Sequence, residues 1–254
     1  MKNRITMLAL GVMFTGIVQA QEYKIAKTSG RLQLNIGRVT VEGYDGSEII
    51  FSSKNIRREK DERAEGLRAV NQLGLDDNTG LGIHVADKGN SIEVYQLKKT
   101  HAPDIKVLVP KGVIVSFKHD SQYGGKAHFL NLTNEIEVSA VYNSIELENV
   151  TGPLTIETTY GSVTADFNGA IQDPVSIVSI YGFVDVTLPQ STRADLKLST
   201  SYGDIFVAPE FNIEIPPRDD GMRVYSEKIA GTINGGGVKI DLNCNYGKIY
   251  LRKK

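Results

Sequence analysis

A tyrosine followed by glycine returns at a nearly fixed interval through the second half of the chain. It stands at Tyr123-Gly124, Tyr160-Gly161, Tyr181-Gly182, Tyr202-Gly203 and Tyr246-Gly247, with Tyr142-Asn143 filling the remaining place. Successive tyrosines are 19, 18, 21, 21 and 44 residues apart, the last interval being close to two units. A repeat of this length restricts a chain to folds in which one small unit stacks on the next.

The flanking residues keep the same register. Apolar residues alternate ahead of the tyrosine, as Leu154 and Ile156, Val175 and Ile177, Leu196 and Leu198, and Ile240 and Leu242. Two residues before it sits a small side chain: Ser121, Ala140, Thr158, Ser179, Thr200 or Cys244. A second alternating run follows the glycine, as Val163 and Ala165, Val184 and Val186, Ile205 and Val207, and Ile249 and Leu251. Each unit thus reads as strand, glycine corner, strand. Period-two alternation puts the aliphatic, small and tyrosine positions on one inward face. The phase changes across the corner, which predicts a bend or bulge with glycine in an unusual backbone conformation.

The expected fold is all-β: a β-solenoid, a right-handed β-helix-like stack of roughly twenty-residue repeats. A β-sandwich is the alternative, since short strands at even spacing also suit antiparallel pairing. The solenoid is preferred because side chains recur column by column, which hairpin pairing does not require. The first half, about residues 21–103, is less regular than the repeats of about 104–254. There Arg31 to Val41, Ile49 to Ser53, Ser91 to Leu97 and Asp104 to Lys118 read as strands. Lys54 to Arg68 is a charged helix or loop, and Asn71 to Gly82 a polar loop. Pro209 to Gly221, with Pro216-Pro217 and Asp219-Asp220-Gly221, reads as an irregular interruption where one repeat has degenerated.

The first twenty residues have the pattern of a signal peptide. Lys2 and Arg4 supply the charge, Ile5 to Val18 the short apolar run, and Val18-Gln19-Ala20 the cleavage site. Cleavage between Ala20 and Gln21 leaves a single β-strand-repeat domain over 21–254, with no transmembrane span in the mature chain. The destination is the periplasm, the outer-membrane surface or the medium. A lone cysteine, Cys244, permits no internal disulfide framework in that oxidising setting. A formal net charge of −1 gives no basic surface for nucleic acid.

Tests for chemistry are negative. His84, His101, His119 and His128 lack metal-ligand spacing. His119-Asp120-Ser121 resembles a catalytic triad only in composition, because neighbouring strand residues face opposite ways. Asp76-Asp77-Asn78-Thr79-Gly80 opens like a calcium loop but lacks the later bidentate glutamate. Gly235-Gly236-Gly237-Val238-Lys239-Ile240-Asp241 departs from the calcium-binding nonapeptide at Val238. Asp185, Asp195, Asp204 and Asp241 fall in no common column, so a carbohydrate-cleaving β-helix enzyme lacks its acidic face. Neither catalytic residues nor a cofactor or metal are expected. The tyrosine row reads as packing, with a sugar platform as the rival reading. Cys244 reads as a buried small residue.

The stretch from Gly231 to Leu251, taken with the earlier Tyr-Gly units, resembles a bacterial family of adhesin-like proteins formally classed as a domain of unknown function. The likeness is greatest to members from Bacteroidetes-type bacteria and strongest from about Asp104 onward. The resemblance implies a β-strand-repeat protein outside the cytoplasm and transfers no catalytic residues. The expected function is non-catalytic binding, as an adhesin or envelope module for glycan or protein. A passive envelope scaffold is the alternative.

Overall fold

The structure, a computed structural model, describes residues 21–53, 62–67, 71–100, 102–215 and 227–254. The signal-peptide segment including Ala20, most of Lys54 to Arg68, His101 and the Pro216 to Gly221 stretch lie outside the described residues. Apart from a 3-10 turn at Glu62–Ala64, the regular structure is strand. In the first half these are β1 (Glu22–Ala26), β2 (Gly30–Asn35), β3 (Val39–Tyr44), β4 (Glu48–Ser53), β5 (Ile83–Asp87), β6 (Ser91–Gln96), β7 (Ile105–Pro110), β8 (Val113–His119) and β9 (Lys126–Leu130). The regular repeats contribute β10 (Ile136–Ala140), β11 (Ser144–Glu148), β12 (Leu154–Thr158), β13 (Val163–Asp166), β14 (Val175–Ser179) and β15 (Val184–Leu188). The chain closes with β16 (Ala194–Thr200), β17 (Ile205–Val207), β18 (Glu227–Ile233), β19 (Val238–Cys244) and β20 (Ile249–Lys253).

Two ten-stranded sheets result, and each coil gives its first strand to one sheet and its second to the other. The first sheet runs β1-β4-β7-β3-β9-β11-β13-β15-β20-β17 and the second β18-β16-β19-β14-β12-β10-β8-β2-β6-β5. Pairing through the body is parallel, as in Ile136↔Leu154↔Val175↔Ile240 and Ile145↔Val163↔Val184↔Ile249. Among the described residues, antiparallel strand pairs occur only toward the ends, at β1–β4, β4–β7, β5–β6 and β16–β18. That pattern selects the solenoid over the sandwich. Parallel strands need a connection that crosses between sheets, and the second strand of each coil supplies it.

The strands follow from their alternation. Leu154, Ile156 and Thr158 are buried while Thr155 and Glu157 are exposed, and the same inward burial runs through β10, β14, β16 and β19, whereas β17 buries Ile205 and Val207 only in part. The inward residues of both sheets meet in one continuous core from Leu32 to Leu251. Burying each Val, Leu or Ile there contributes about 1.5–3 kcal/mol, and stacking extends this core without closing it.

Coil order in space differs from chain order at both ends. The last coil, β19–β20, lies between β14–β15 and β16–β17. The first, β2–β3, lies between the β6–β7 and β8–β9 coils. Pro209 to Gly221 is therefore no degenerate coil in its described part. Residues 208–215 cross the end of the stack, where Glu214 bridges Thr232 of β18, and β18 lies antiparallel along β16. The 44-residue interval records this detour and return, since a chain that caps its own end must come back to fill the interior slot.

Two of the long runs read as single strands each contain a corner. Arg31 to Val41 breaks at Ile36-Gly37-Arg38, and Asp104 to Lys118 breaks at Lys111-Gly112, where Gly112 has φ 113°. Apolar residues on both sides of a short turn leave no gap in hydrophobicity, so the turn is masked in the pattern.

Candidate functional site: an exposed aromatic ladder

Each repeat strand ends on its small residue, and the tyrosine follows two positions later in the corner itself. The peptide N–H of Tyr160 donates to Val141 O at 2.7 Å, that of Tyr181 to Thr159 O at 2.8 Å, and that of Tyr246 to Ile180 O at 2.8 Å. Tyr202 continues the series to Asn245 O at 2.9 Å. The corners thus hold the same register as the strands.

The rings stack in the order Tyr142, Tyr160, Tyr181, Tyr246, Tyr202, with centroids 4.9–5.1 Å apart and planes within 16°. Their spacing is the strand spacing of about 4.8 Å, carried out to the side chains. The rings are 44–73% exposed. This corrects the inward placement expected from alternation. Strict alternation stops at the small residue, and the bend turns the tyrosine outward.

The small-residue column is buried and hydrogen-bonded. Thr158 Oγ1 accepts from Gly161 N at 3.2 Å, and Ser179 Oγ accepts from Gly182 N at 3.1 Å while donating to Gly161 O at 2.9 Å. Cys244 Sγ donates to Gly182 O at 3.2 Å, and Thr200 Oγ1 to Gly247 O at 3.3 Å. Ser179, Cys244 and Thr200 each tie their own coil to the corner of the coil before it in the stack, whereas Thr158 holds the corner of its own coil. Burial pushes the Cys244 thiol above its ordinary value, partly opposed by hydrogen bonds to Gly247 and Ser179.

The corner glycines are needed for close approach. None of Gly161, Gly182, Gly203 and Gly247 has positive φ, which corrects the expected unusual backbone conformation. A Cβ on any of them would lie nearer than 3.0 Å to the carbonyl oxygen of the adjoining corner: Asn143, Gly161, Gly247 and Gly182 respectively. Left-handed backbone appears elsewhere, at Asn131 and Asn149, where Asn149 Nδ2 donates to Asn131 Oδ1 at 2.7 Å across neighbouring coils.

Tyr123-Gly124 is not equivalent to the other units. Ala140 faces His119, so His119 holds the small-residue column in that coil and Ser121 lies in the turn. Because Ala127 faces Ile145, the β8–β9 corner is three residues longer than the β10–β11 corner. Tyr123 is exposed and stands apart from the stacked row. Asn143, fully buried, fills the space left by the uneven corners, accepting from His119 Nδ1 at 2.8 Å.

A second group of aromatics escaped the repeat reading. Phe183, Tyr250 and Phe206 lie on the outer face of the first sheet, over the same three coils that carry Tyr181, Tyr246 and Tyr202. Phe206 stacks on Tyr250 at 5.4 Å and 12°, and Phe183 meets Tyr250 edge-on at 6.4 Å. Lys248 Nζ lies 5.5 Å from the Phe206 centroid and Arg252 lies 5.2 Å from that of Tyr250. The available signal was an aromatic four residues after the repeat tyrosine, at Tyr246/Tyr250 and Tyr202/Phe206.

The other candidate residues are dispersed. Asp185 accepts two bonds from Arg252 at 2.7 and 3.0 Å, Asp204 lies 3.5 Å from Lys248, and Asp241 pairs with Lys197. Asp195 stands against the Gly236 turn of the second sheet. Asp77 Oδ1 accepts from Thr79 N, Thr79 Oγ1 and Gly80 N, and its Oδ2 from Gly82 N, so this carboxylate is spent on its own loop. Asn234, Gly235 and Gly236 are consecutively left-handed and form the β18–β19 turn, while Val238 to Asp241 belong to β19. Among the described residues no three His, Cys, Asp or Glu side chains gather as a metal site, and no helix is long and apolar enough to cross a membrane.

A two-sheeted β-solenoid whose corners carry an exposed aromatic ladder defines the class of protein. The chain belongs to the Toastrack DUF4097 family, whose model matches residues 11–252. Among solved structures it is similar to a candidate cell adhesion protein from Clostridium sporogenes, with 14% identity, TM-score 0.46, and coverage of 93% of this chain and 100% of that one. It is also similar to a candidate adhesin from Bacteroides fragilis, with 12% identity, TM-score 0.36, and coverage of 92% and 98%. A search of curated proteins returned no match.

Proposed function

We propose that this chain is an exported, non-catalytic binding protein of adhesin type that engages a glycan or protein through its exposed aromatic surface. The observation that carries the reading is the ladder itself. Five tyrosines stay in register and open to solvent along a rigid frame. A purely structural column could have been buried at less cost, since each exposed ring leaves apolar area in water. Export is supported by the charged and apolar pattern of Met1 to Ala20. A non-catalytic role is supported by the pairing of Asp185, Asp204 and Asp241 with separate basic side chains, Arg252, Lys248 and Lys197.

Protease shaving of intact cells, followed by terminal mass spectrometry, tests location and cleavage. Beads coated with protein 21–254 and presented to glycan and protein surfaces test adhesion. The expected results are a new terminus at Gln21 and retention of beads that weakens in the triple variant Tyr142→Ala/Tyr160→Ala/Tyr181→Ala. Wild-type beads that adhere to nothing would replace this reading with a passive scaffold.

A further inference from the structure

The outermost coil, β16–β17, ends both aromatic stacks. The Tyr202 ring lies on Tyr246 at 4.9 Å and 7°, and the Phe206 ring on Tyr250 at 5.4 Å and 12°. Both covering rings belong to the β19–β20 coil, so each terminal ring has one face turned away from the stack. Among the described residues no ring covers those outer faces, and Tyr202 is the most exposed tyrosine of the ladder at 73%. Tyr160, Tyr181 and Tyr246 have both faces taken by neighbours, so that only their edges and hydroxyls remain available, and Tyr142 ends the row on the other side with a single stacked neighbour.

Beside Phe206 lies an open groove of about 370 Å³, bounded by Phe206, Ala208, Glu210, Tyr250, Arg252 and Lys253. That volume is at the small end of ligand sites and is enough for one or two sugar rings. Its cations are already matched: Arg252 to Asp185 at 2.7 Å, Lys253 to Glu210 at 3.3 Å, and Lys248 to Asp204 at 3.5 Å. The Glu210 carboxyl is held below its usual range first by a backbone hydrogen bond and then by Lys253. The groove therefore offers fixed donors and acceptors without net charge.

We propose that this end of the solenoid is a binding site for neutral glycans, with a pyranose ring seated on Phe206 and a neighbouring sugar on Tyr202. The C–H-rich face of a pyranose carries slight positive charge and matches the negative face of an aromatic ring. Its hydroxyls both donate and accept, which suits the paired Arg252/Asp185 and Lys253/Glu210 groups. A polyanion would have to displace Asp185, Glu210 and Asp204 from the cations they hold. This site rests on the proposed binding role and names the ligand class for it.

The test is binding of protein 21–254 to an array holding neutral hexose and N-acetylhexosamine oligosaccharides beside polyuronates, followed by titration of the best neutral oligosaccharide. Phe206→Ala and Tyr202→Ala are each expected to weaken binding tenfold or more, and Glu210→Gln several-fold. Tyr123→Ala, at an exposed tyrosine that stands apart from the stacked row, is expected to leave it within twofold. Melting curves confirm that the variants are folded, and raising NaCl is expected to change affinity little. Preferential capture of polyuronates, or neutral-glycan binding that survives both aromatic substitutions, overturns the site. So does light scattering that shows the patch joining two copies of the chain. If beads adhere normally to a protein surface and the array stays blank, the site falls while the adhesive role stands. If neither assay responds, both fall.

Discussion

Asn143 Nδ2 donates to Gly37 O at 2.8 Å across 106 residues of chain, joining the corner of the first coil to that of the β10–β11 coil. The same amide donates to Gly125 O at 3.0 Å, and Asn143 Oδ1 accepts from His119 Nδ1. One buried side chain thus closes the site where three corners of unequal length meet. Asn143→Ala leaves the half-buried Gly125 carbonyl and the His119 imidazole N–H without this partner, while Gly37 O keeps the Gly125 N–H at 2.9 Å. Each orphaned group costs about 1–3 kcal/mol. Urea titration is expected to show a loss well beyond that of an ordinary surface change. A midpoint equal to wild type would mean that water replaces the amide and that the node contributes nothing specific.

Close approach, not dihedral freedom, sets the demand for glycine in the corners. Gly161 and Gly169 make the comparison direct. A Cβ on Gly161 would press on Asn143 O, whereas a Cβ on Gly169 meets nothing within 4 Å, and neither residue has positive φ. Gly161→Ala must therefore separate two coils, and the expected loss is about 2–3 kcal/mol or more. Gly169→Ala is expected to be neutral or to stabilise by about 0.4–1 kcal/mol through the unfolded chain. Gly203→Val should behave like Gly161→Ala, and Asp204→Ala, on the exposed side of the same corner, should be close to neutral. Thermal melts of the four variants decide it, and equal effects at Gly161 and Gly169 would remove the close-approach account.

The Cys244 thiol occupies a position that serine and threonine fill in adjacent coils, and it bonds to Gly182 O as their hydroxyls bond to other corners. Cys244→Ser is expected to hold stability within about 1 kcal/mol, while Cys244→Phe overpacks the column at a cost of about 1–3 kcal/mol or more. Titration gives an independent check. The folded thiol titrates above its ordinary value of 9.0, chiefly through burial. The unfolded chain therefore loses its proton first, and native stability is complete below pH 9 and falls as pH rises beyond it. Cys244→Ser removes that alkaline loss. The same slope in both proteins would assign the decline to other groups.

Much of this architecture was legible in the sequence because stacking repeats side chains in columns. Leu154, Ile156 and Thr158 announce their coil, and the shared small-residue position identifies Cys244 as buried before any coordinates exist. The corners were harder. Period-two alternation carries a strand only to its last paired residue, so it predicts Tyr160 inward where the bend turns it out. The first coil stayed hidden because Gly37 replaces Tyr-Gly and its two strands merge into one apolar run. The coil order was unreadable for a different reason. Columns record which residues are equivalent, not which coils are neighbours, so Tyr246 following Tyr202 in sequence says nothing of its lying between Tyr181 and Tyr202 in space. The outer aromatics Phe183, Phe206 and Tyr250 sit in polar-face positions, where alternation predicts only exposure and not what the exposed group is for.

The interleaved order makes the two chain ends unequal in importance. β20 pairs with β15 on one side and β17 on the other, and its Ile249 and Leu251 are buried. β1 stands at the margin of its sheet, pairs only with β4, and none of its side chains is fully buried. Removing Ile249–Lys254 deprives β17 of its sheet partner and opens the interior between two coils. Removing Glu22–Ala26 strips an edge. Loss of two fully buried aliphatic side chains with their cavities costs about 4–10 kcal/mol by the usual scale for core truncation, enough to unfold a marginally stable unit. The C-terminal deletion is therefore expected to abolish protection of β16, β17 and β19 in hydrogen exchange, while the body from β8 to β15 keeps part of its own. The N-terminal deletion is expected to lower the melting temperature by a few degrees and leave the exchange pattern of the last three coils unchanged. β16 and β17 can complete their docking only after β19 and β20 are in place, so their protection should also rise last during refolding. Earlier protection at β17 than at β20 would contradict the insertion of the final coil.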